Sequence, residues 1–277
     1  MLNRVARVFL YAILSLISLV MIGPFIWMLL TSFKTLPEAL AFPPTFLPKK
    51  WMFTNYRDIF GRLSFFRYFY NTTIVAMTRA FTQLIIGSMA AFSFAKMEFP
   101  GKNCLFFLYI STMMVPVYVV LIPTFLIVRH LGWMDTLNGL IIPPIFSGGL
   151  VFGIFIMRQF YMTIPDELLD AATIDGCSYG DSYVRIILPL SKPVFSAFGI
   201  LTFVWAWNDL LWPLIVTSSQ EQRVLAVGLA LFQGMFGSDY HLAMAAAVVA
   251  NIPLVLIFIL GQKHIVEGVA LTGMGGR

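Results

Sequence analysis

Five of the chain's 13 acidic residues, Asp166, Glu167, Asp170, Asp175 and Asp181, fall within one polar stretch, Thr163–Pro193, set between two long apolar runs. Carboxylates gathered in this way invite an enzymatic or metal-binding reading, and their surroundings do not support one. The three histidines, His130, His241 and His264, are scattered and form no metal-ligand spacing. There is no HExxH, no pair of intramembrane acids and no nucleophile–base arrangement. The spacing instead describes a short helix. Pro165 suits a first turn, and Asp166 and Glu167 sit where the helix dipole favours negative charge. Leu168, Ala171, Ala172 and Asp175 follow at helical intervals, with the small alanines admitting a second backbone, and Gly176 is placed as the left-handed residue that ends the helix. Ser178 with Asp181 then reads as a capping box opening a second short helix, which Leu188-Pro189 should stop. A solvated connector could share this composition.

A second set of polar residues lies inside the apolar runs, where such groups are expensive and usually face a bundle interior. Arg79 and Gln83, four apart, share a helical face with Gly87 and Ala91. Asn208 and Asp209 sit within WAWNDLLWP, and Asn251 midway along the last run. These are the candidate pathway residues. Asp209 also reads as a cap near the outer end of its helix, and Trp205, Trp207 and Trp212 fit the ordinary enrichment of tryptophan at a membrane interface.

The elements that must position these groups are membrane helices. Hydrophobic residues make up 59% and charged residues 11%, and the mean hydropathy is +0.86. The predicted fold is an all-α polytopic membrane protein, a single transmembrane domain over 1–277 with six spans of about 20 residues each. They fall at residues 8–30, 71–95, 104–128, 137–157, 194–216 and 241–261. A proline-containing outer loop, 31–70, should carry short interfacial helices; an inner loop covers 158–193 and a tail 262–277. The N-terminal run, behind Arg4 and Arg7, is too long for a signal-peptide core and lacks a small-residue cleavage site, so it reads as a retained span. Pro116, Pro123, Pro143, Pro144 and Pro253 interrupt the spans, either as packing kinks or as hinges of a path that opens on alternate sides. Lysine and arginine divide almost evenly between the two sides, so charge alone barely orients the chain. The net charge of +5 belongs to membrane flanks and not to nucleic-acid binding, and Cys104 and Cys177 do not form a disulfide framework.

Asp170-Ala171-Ala172, three residues, Gly176, nine residues, then Ile186-x-Leu188-Pro189 resembles the cytoplasmic signature loop of ABC importer permeases, with Asp170 in place of the usual glutamate. TSFKTLPEAL with AFPPTFLPKKWMFTNYRDIF resembles the first outer loop of carbohydrate importer permeases of the maltose-transporter type, and FVWAWNDLLWPLI and GQKHIVEGVALTGMGGR resemble the shorter, second permease of those systems. The resemblance implies a subunit that forms half of a solute pathway in the cell's cytoplasmic (inner) membrane, with both termini cytoplasmic. It implies a second homologous permease, two ATPase subunits that hold the ATP and magnesium, and an extracytoplasmic solute-binding protein; this chain itself binds no cofactor. It assigns ATPase coupling to Asp166, Glu167, Asp170, Ala171, Ala172 and Gly176, and an ATPase-interface tail to Gly273, Met274, Gly275, Gly276 and Arg277. The chain has no Walker A motif, since Pro100-Gly101-Lys102-Asn103 lacks the earlier glycine and the Ser/Thr, and is therefore not the ATPase. A secondary carrier or channel driven by an ion gradient is the alternative; broken helices fit it, but no internal repeat is visible.

Overall fold

Prolines decide where the apolar runs of this chain stay straight and where they break. A computed structural model describes residues 4–62, 64–235 and 239–274, and every regular element among them is helical. The principal helices are α1 (Arg4–Ser32), α2 (Thr54–Arg62), α3 (Phe65–Lys96), α4 (Lys102–Ser111), α5 (Val117–His130) and α6 (Leu137–Ile145). They continue as α7 (Gly148–Met162), α8 (Glu167–Ile174), α9 (Lys192–Trp207), α10 (Leu211–Val216), α11 (Leu225–Met235) and α12 (Tyr240–Met274). Contacts divide the chain into two units, residues 1–66 with 228–252 and residues 67–227 with 253–277.

In the first unit α1 runs unbroken through Pro24, and none of its most apolar window is buried among the described residues. The segment after it is folded by its polar groups. Buried Lys34 donates to the Thr45 carbonyl at 2.5 Å and lies over the Trp27 ring at 4.3 Å. Asn55 bridges the carbonyls of Ser32 and Lys34 at 2.8 and 2.9 Å, and Glu38 accepts from the Lys49 amide at 2.7 Å. The expected short helices are present as α2 and a turn at Leu36–Ala39.

In the second unit α3 is a long continuous helix, whereas its neighbours are paired pieces. At Pro116 the preceding Val115 turns extended, as the residue before a proline should, and the two sides meet at 97°. The predicted span 104–128 is therefore two helices, while Pro123 stays inside α5. The predicted span 137–157 is α6 and α7, bent by 41° at Phe146-Ser147. Residues 194–216 are α9 and α10, parted at Asn208–Leu210. Sixteen residues in α9 rise only about 24 Å, less than the roughly 30 Å of hydrocarbon, and the bent pair apolar enough to count as one span joins α9 to the helical stretch Tyr179–Leu190 before it. Three helices are long and apolar enough to span alone, and up to six spans result if bent pairs count as one.

Pro143 has no N–H with which to bond the Gly139 carbonyl one turn back. That freed carbonyl accepts the indole N–H of buried Trp212 at 2.9 Å. At the end of α6 the carbonyls of Pro144 and Ile145 both accept from the Gln83 amide at 3.0 Å. This is how broken helices survive where water cannot reach them.

The core of this unit joins Ala91 and Phe92 of α3 to Leu150, Ile154, Met157 and Tyr161 of α7, and to Ile187, Val194 and Phe198. Between apolar helices in lipid, close packing supplies attraction that water exclusion does not. A side chain at Gly153 would overlap the Phe198 ring, so glycine there sets the approach of α7 to α9.

One sequence expectation needs correction. Leu188-Pro189 does not stop its helix; a π-helical turn at Tyr183–Ile187 widens the backbone ahead of it, and Leu188–Leu190 stays helical before the 81° bend at Ser191. The predicted last span, 241–261, falls within the apolar stretch Tyr240–Lys263 of α12, and the helix itself runs on to Met274, with no proline to interrupt Gln262–Thr272. Helix α11 lies where no element was expected.

Candidate functional site

The acidic stretch forms a loop anchored from α3. Lys96, whose side chain is 3% exposed at the end of that helix, donates to the Ile164 carbonyl at 2.6 Å and pairs with Asp166 at 2.5 Å. Helix α8 follows at once. It ends as the spacing predicts: Gly176 adopts φ +81°, its N–H reaches the Thr173 carbonyl at 3.0 Å, and the Cys177 N–H reaches Ala172 at 2.9 Å. These two bonds make a Schellman motif.

Ser178 and Asp181 then form a capping box. The Asp181 amide donates to the Ser178 hydroxyl, and the Ser178 amide to the Asp181 carboxylate, both at 3.2 Å. The Ser178 hydroxyl foremost, then its amide and the Arg185 guanidinium, hold the Asp181 carboxyl below the usual carboxylate range. The Tyr183 hydroxyl meets that of Ser88 at 2.6 Å and its ring packs on Phe92, tying the second half of the loop to α3.

This anchoring gives α8 two faces. Leu169 and Ala172 turn toward the chain's own core, with Ala172 only 6% exposed. Leu168, Ala171 and Ile174 turn to solvent, Ile174 at 87%, beside exposed Glu167, Asp170 and Asp175. Ala172, which the resemblance assigns to ATPase coupling, is buried and seats the helix on this chain. Ile174 and Lys96 were missed. Ile174 recurs at three-residue intervals from Leu168 and Ala171, a signal available in the sequence; Lys96 acts across a distance no local pattern shows.

The intramembrane candidates separate into two kinds. Arg79 Nη1 and Asp209 Oδ2 are 2.8 Å apart, with side chains 10% and 20% exposed, and Gln83 one turn further on α3 holds the end of α6. These three meet along one helix. Asn208 ends α9 and bonds its own Val204 carbonyl at 2.9 Å, and Asn251 bonds Ala247 at 2.8 Å in the other unit. In the tail, Gly273 and Met274 finish α12, while Gly275, Gly276 and Arg277 lie outside the described residues. No cluster of metal-ligating side chains occurs among the described residues.

Residues 83–270, more than half of the chain, match the family described as binding-protein-dependent transport system inner membrane component. The chain belongs to that family. It is 33% identical over 275 residues to the arabinooligosaccharides transport system permease protein of Bacillus subtilis, covering 98% of this chain and 97% of that protein. It is 32% identical over 271 residues to the sn-glycerol-3-phosphate transport system permease protein of Brucella abortus, covering 95% of each. A bacterial ABC transporter involved in alginate import has the same fold, with a TM-score of 0.77 at 22% identity over 95% of this chain and 98% of that one. As an inner membrane component of a binding-protein-dependent system, the protein is a transport subunit of an ABC importer. This favours ATP-driven import over the ion-gradient carrier that the broken helices alone left open.

Proposed function

We propose that this permease forms half of the pathway of an oligosaccharide importer and receives its drive from a separate ATPase that docks on α8. The observation that carries the docking role is the solvent-facing strip Leu168, Ala171 and Ile174 on a helix tied at its start by Lys96 and ended by Gly176. A short helix presenting an apolar strip is suited to a groove on a partner, and Glu167, Asp170 and Asp175 around it call for basic residues on the groove's rim. A second permease supplies the other half of the pathway, two ATPase subunits hold ATP and magnesium, and a solute-binding protein delivers from outside. Both termini, the 158–193 loop and the Gly273–Arg277 tail are cytoplasmic in this reading, and the tail reaches the ATPase interface.

A neutral sugar is favoured over a phosphate ester by the Arg79 pairing. The guanidinium is already neutralised by Asp209, so it does not offer its charge to an anionic solute. Proteoliposomes containing the complete complex test the reading, with labelled arabinotriose, maltose and glycerol 3-phosphate offered in turn. ATP-dependent uptake of a sugar is expected. Uptake of glycerol 3-phosphate alone would overturn the sugar assignment, and uptake that survives ATP removal under an ion gradient would overturn the drive.

A further inference from the structure

Two of the helix breaks of the second unit, those at Phe146-Ser147 and at Asn208–Leu210, are held from a single turn of α3. Gln83 binds the Pro144 and Ile145 carbonyls, where α6 gives way to α7. Arg79, four residues earlier on α3, binds Asp209, where α9 gives way to α10. The two half-helices beyond these breaks, α6 and α10, are also fastened to each other. Trp212 of α10 donates to Gly139 of α6 at 2.9 Å. The Asp135 amide donates to the Val216 carbonyl at 2.8 Å, and its carboxylate accepts from the amides of Ser218 and Ser219 at 3.0 and 3.1 Å. Asp135 holds φ +56° to do so, a left-handed conformation tolerated by aspartate. The α6 end is closely fitted as well, for a side chain on Gly139 would collide with the Trp133 carbonyl.

We propose that α6 and α10 are one clasped block that turns as a unit about these two breaks during transport, with Arg79, Gln83 and Asp209 as its positioning residues. Each half-helix is too short to be stable alone in lipid, since its broken end exposes carbonyls that need donors. Fastened at three points, the pair shares its donors and moves without exposing them. Gln83 can keep one of two adjacent carbonyls while the other is released. The ion pair joins side chains, not backbones, so it accommodates rotation at the Asn208–Leu210 break. Arg79 and Asp209 then act on the geometry of the helices and touch no solute. The inference rests on the assignment to an ATP-driven permease, and binding-protein-stimulated ATP hydrolysis by the labelled complex checks that assignment separately.

The experiment replaces Cys104 and Cys177 by serine and places nitroxide labels on exposed positions of the complete complex in lipid nanodiscs. Dipolar distances are compared between the nucleotide-free and ADP–vanadate-trapped states. Labels at Asn138 and Leu214, on α6 and α10, should keep their separation. Labels at Asn138 and Gln159, across the first break, should shift by more than the roughly 1–2 Å of an ordinary interface adjustment. A changed Asn138–Leu214 distance, or an unchanged Asn138–Gln159 distance, overturns the proposal.

The positioning role has its own readout. Arg79→Met leaves a half-buried carboxylate unpaired and should lower stimulated hydrolysis at least about tenfold. Arg79→Met with Asp209→Leu removes both charges and should recover most of that loss. A double variant as inactive as the single one would make one of these residues a solute contact. Should either variant fail to assemble, the two distances decide the proposal alone.

Discussion

Gly176 is required for its torsion and not for room. A Cβ there would meet no atom within 4 Å, but φ +81° costs an L-residue about 1–2 kcal/mol. Gly176→Val should therefore leave the helices inserted and loosen only the end of α8, releasing the ATPase during co-purification in detergent. The neighbouring substitutions separate the two faces of that helix. Ala172→Leu overfills a buried seat at about 1–3 kcal/mol and should lower the thermal unfolding temperature of the permease along with ATPase retention. Ile174→Asp changes a side chain already in solvent, and should abolish ATPase retention with the unfolding temperature unchanged. Asp170→Asn should weaken retention less than either, with Asp170→Glu tolerated. Equal loss of thermal stability in the Ala172 and Ile174 variants would show that the exposed strip has no docking role.

Among the elements, what the sequence disclosed was whatever depends on neighbours along the chain. The cap at Ser178–Asp181, the glycine ending α8 and the long apolar helices all follow from local spacing. What it hid was set across the fold. Arg79 and Asp209 stand 130 positions apart, and nothing in either run names the other. The π-turn that carries the helix past Pro189 is likewise invisible, because a proline reads as a stop unless the backbone ahead of it widens. The Asp135 clasp belongs here too. Burial opposes its charge, but the Ser218 and Ser219 bonds outweigh it, so its carboxyl sits below the ordinary range. The sign follows from that depression: the bonds stabilise the folded chain at neutral pH, begin to weaken at the ordinary carboxylate range and vanish as pH falls through the depressed value. Asp135→Asn should thus destabilise the protein at neutral pH, and the difference from wild type should shrink only in strong acid. A difference that already disappears near pH 6 in thermal unfolding would contradict it. At the other end of the chain α12 carries through to Met274, so deleting Gly273–Arg277 removes the last two described residues of that helix with the proposed ATPase-interface tail. The deletion should keep the spans inserted and reduce stimulated ATP hydrolysis.

For the whole molecule the open quantity is sidedness. Lysine and arginine are nearly balanced across the six predicted spans, so the usual bias exerts little force, and the ATPase docking proposed for α8 sets the expected orientation instead. With the predicted span 194–216, α9 continued by α10 makes a single traverse between the capping box at Ser178 and the clasp at Ser218. These two exposed positions must then face opposite sides of the membrane. With the native cysteines replaced by serine, Ser178→Cys should react with an impermeant maleimide only in inside-out vesicles. Ser218→Cys should react in intact cells or spheroplasts without permeabilisation. Reaction of both from one side would mean that α9 and α10 enter and leave by the same face, as a re-entrant pair. The span arrangement would then fail together with the clasped block that turns within it. Reaction with the two sides exchanged would instead leave the helices intact and place α8 outside, where no ATP-consuming partner could reach it.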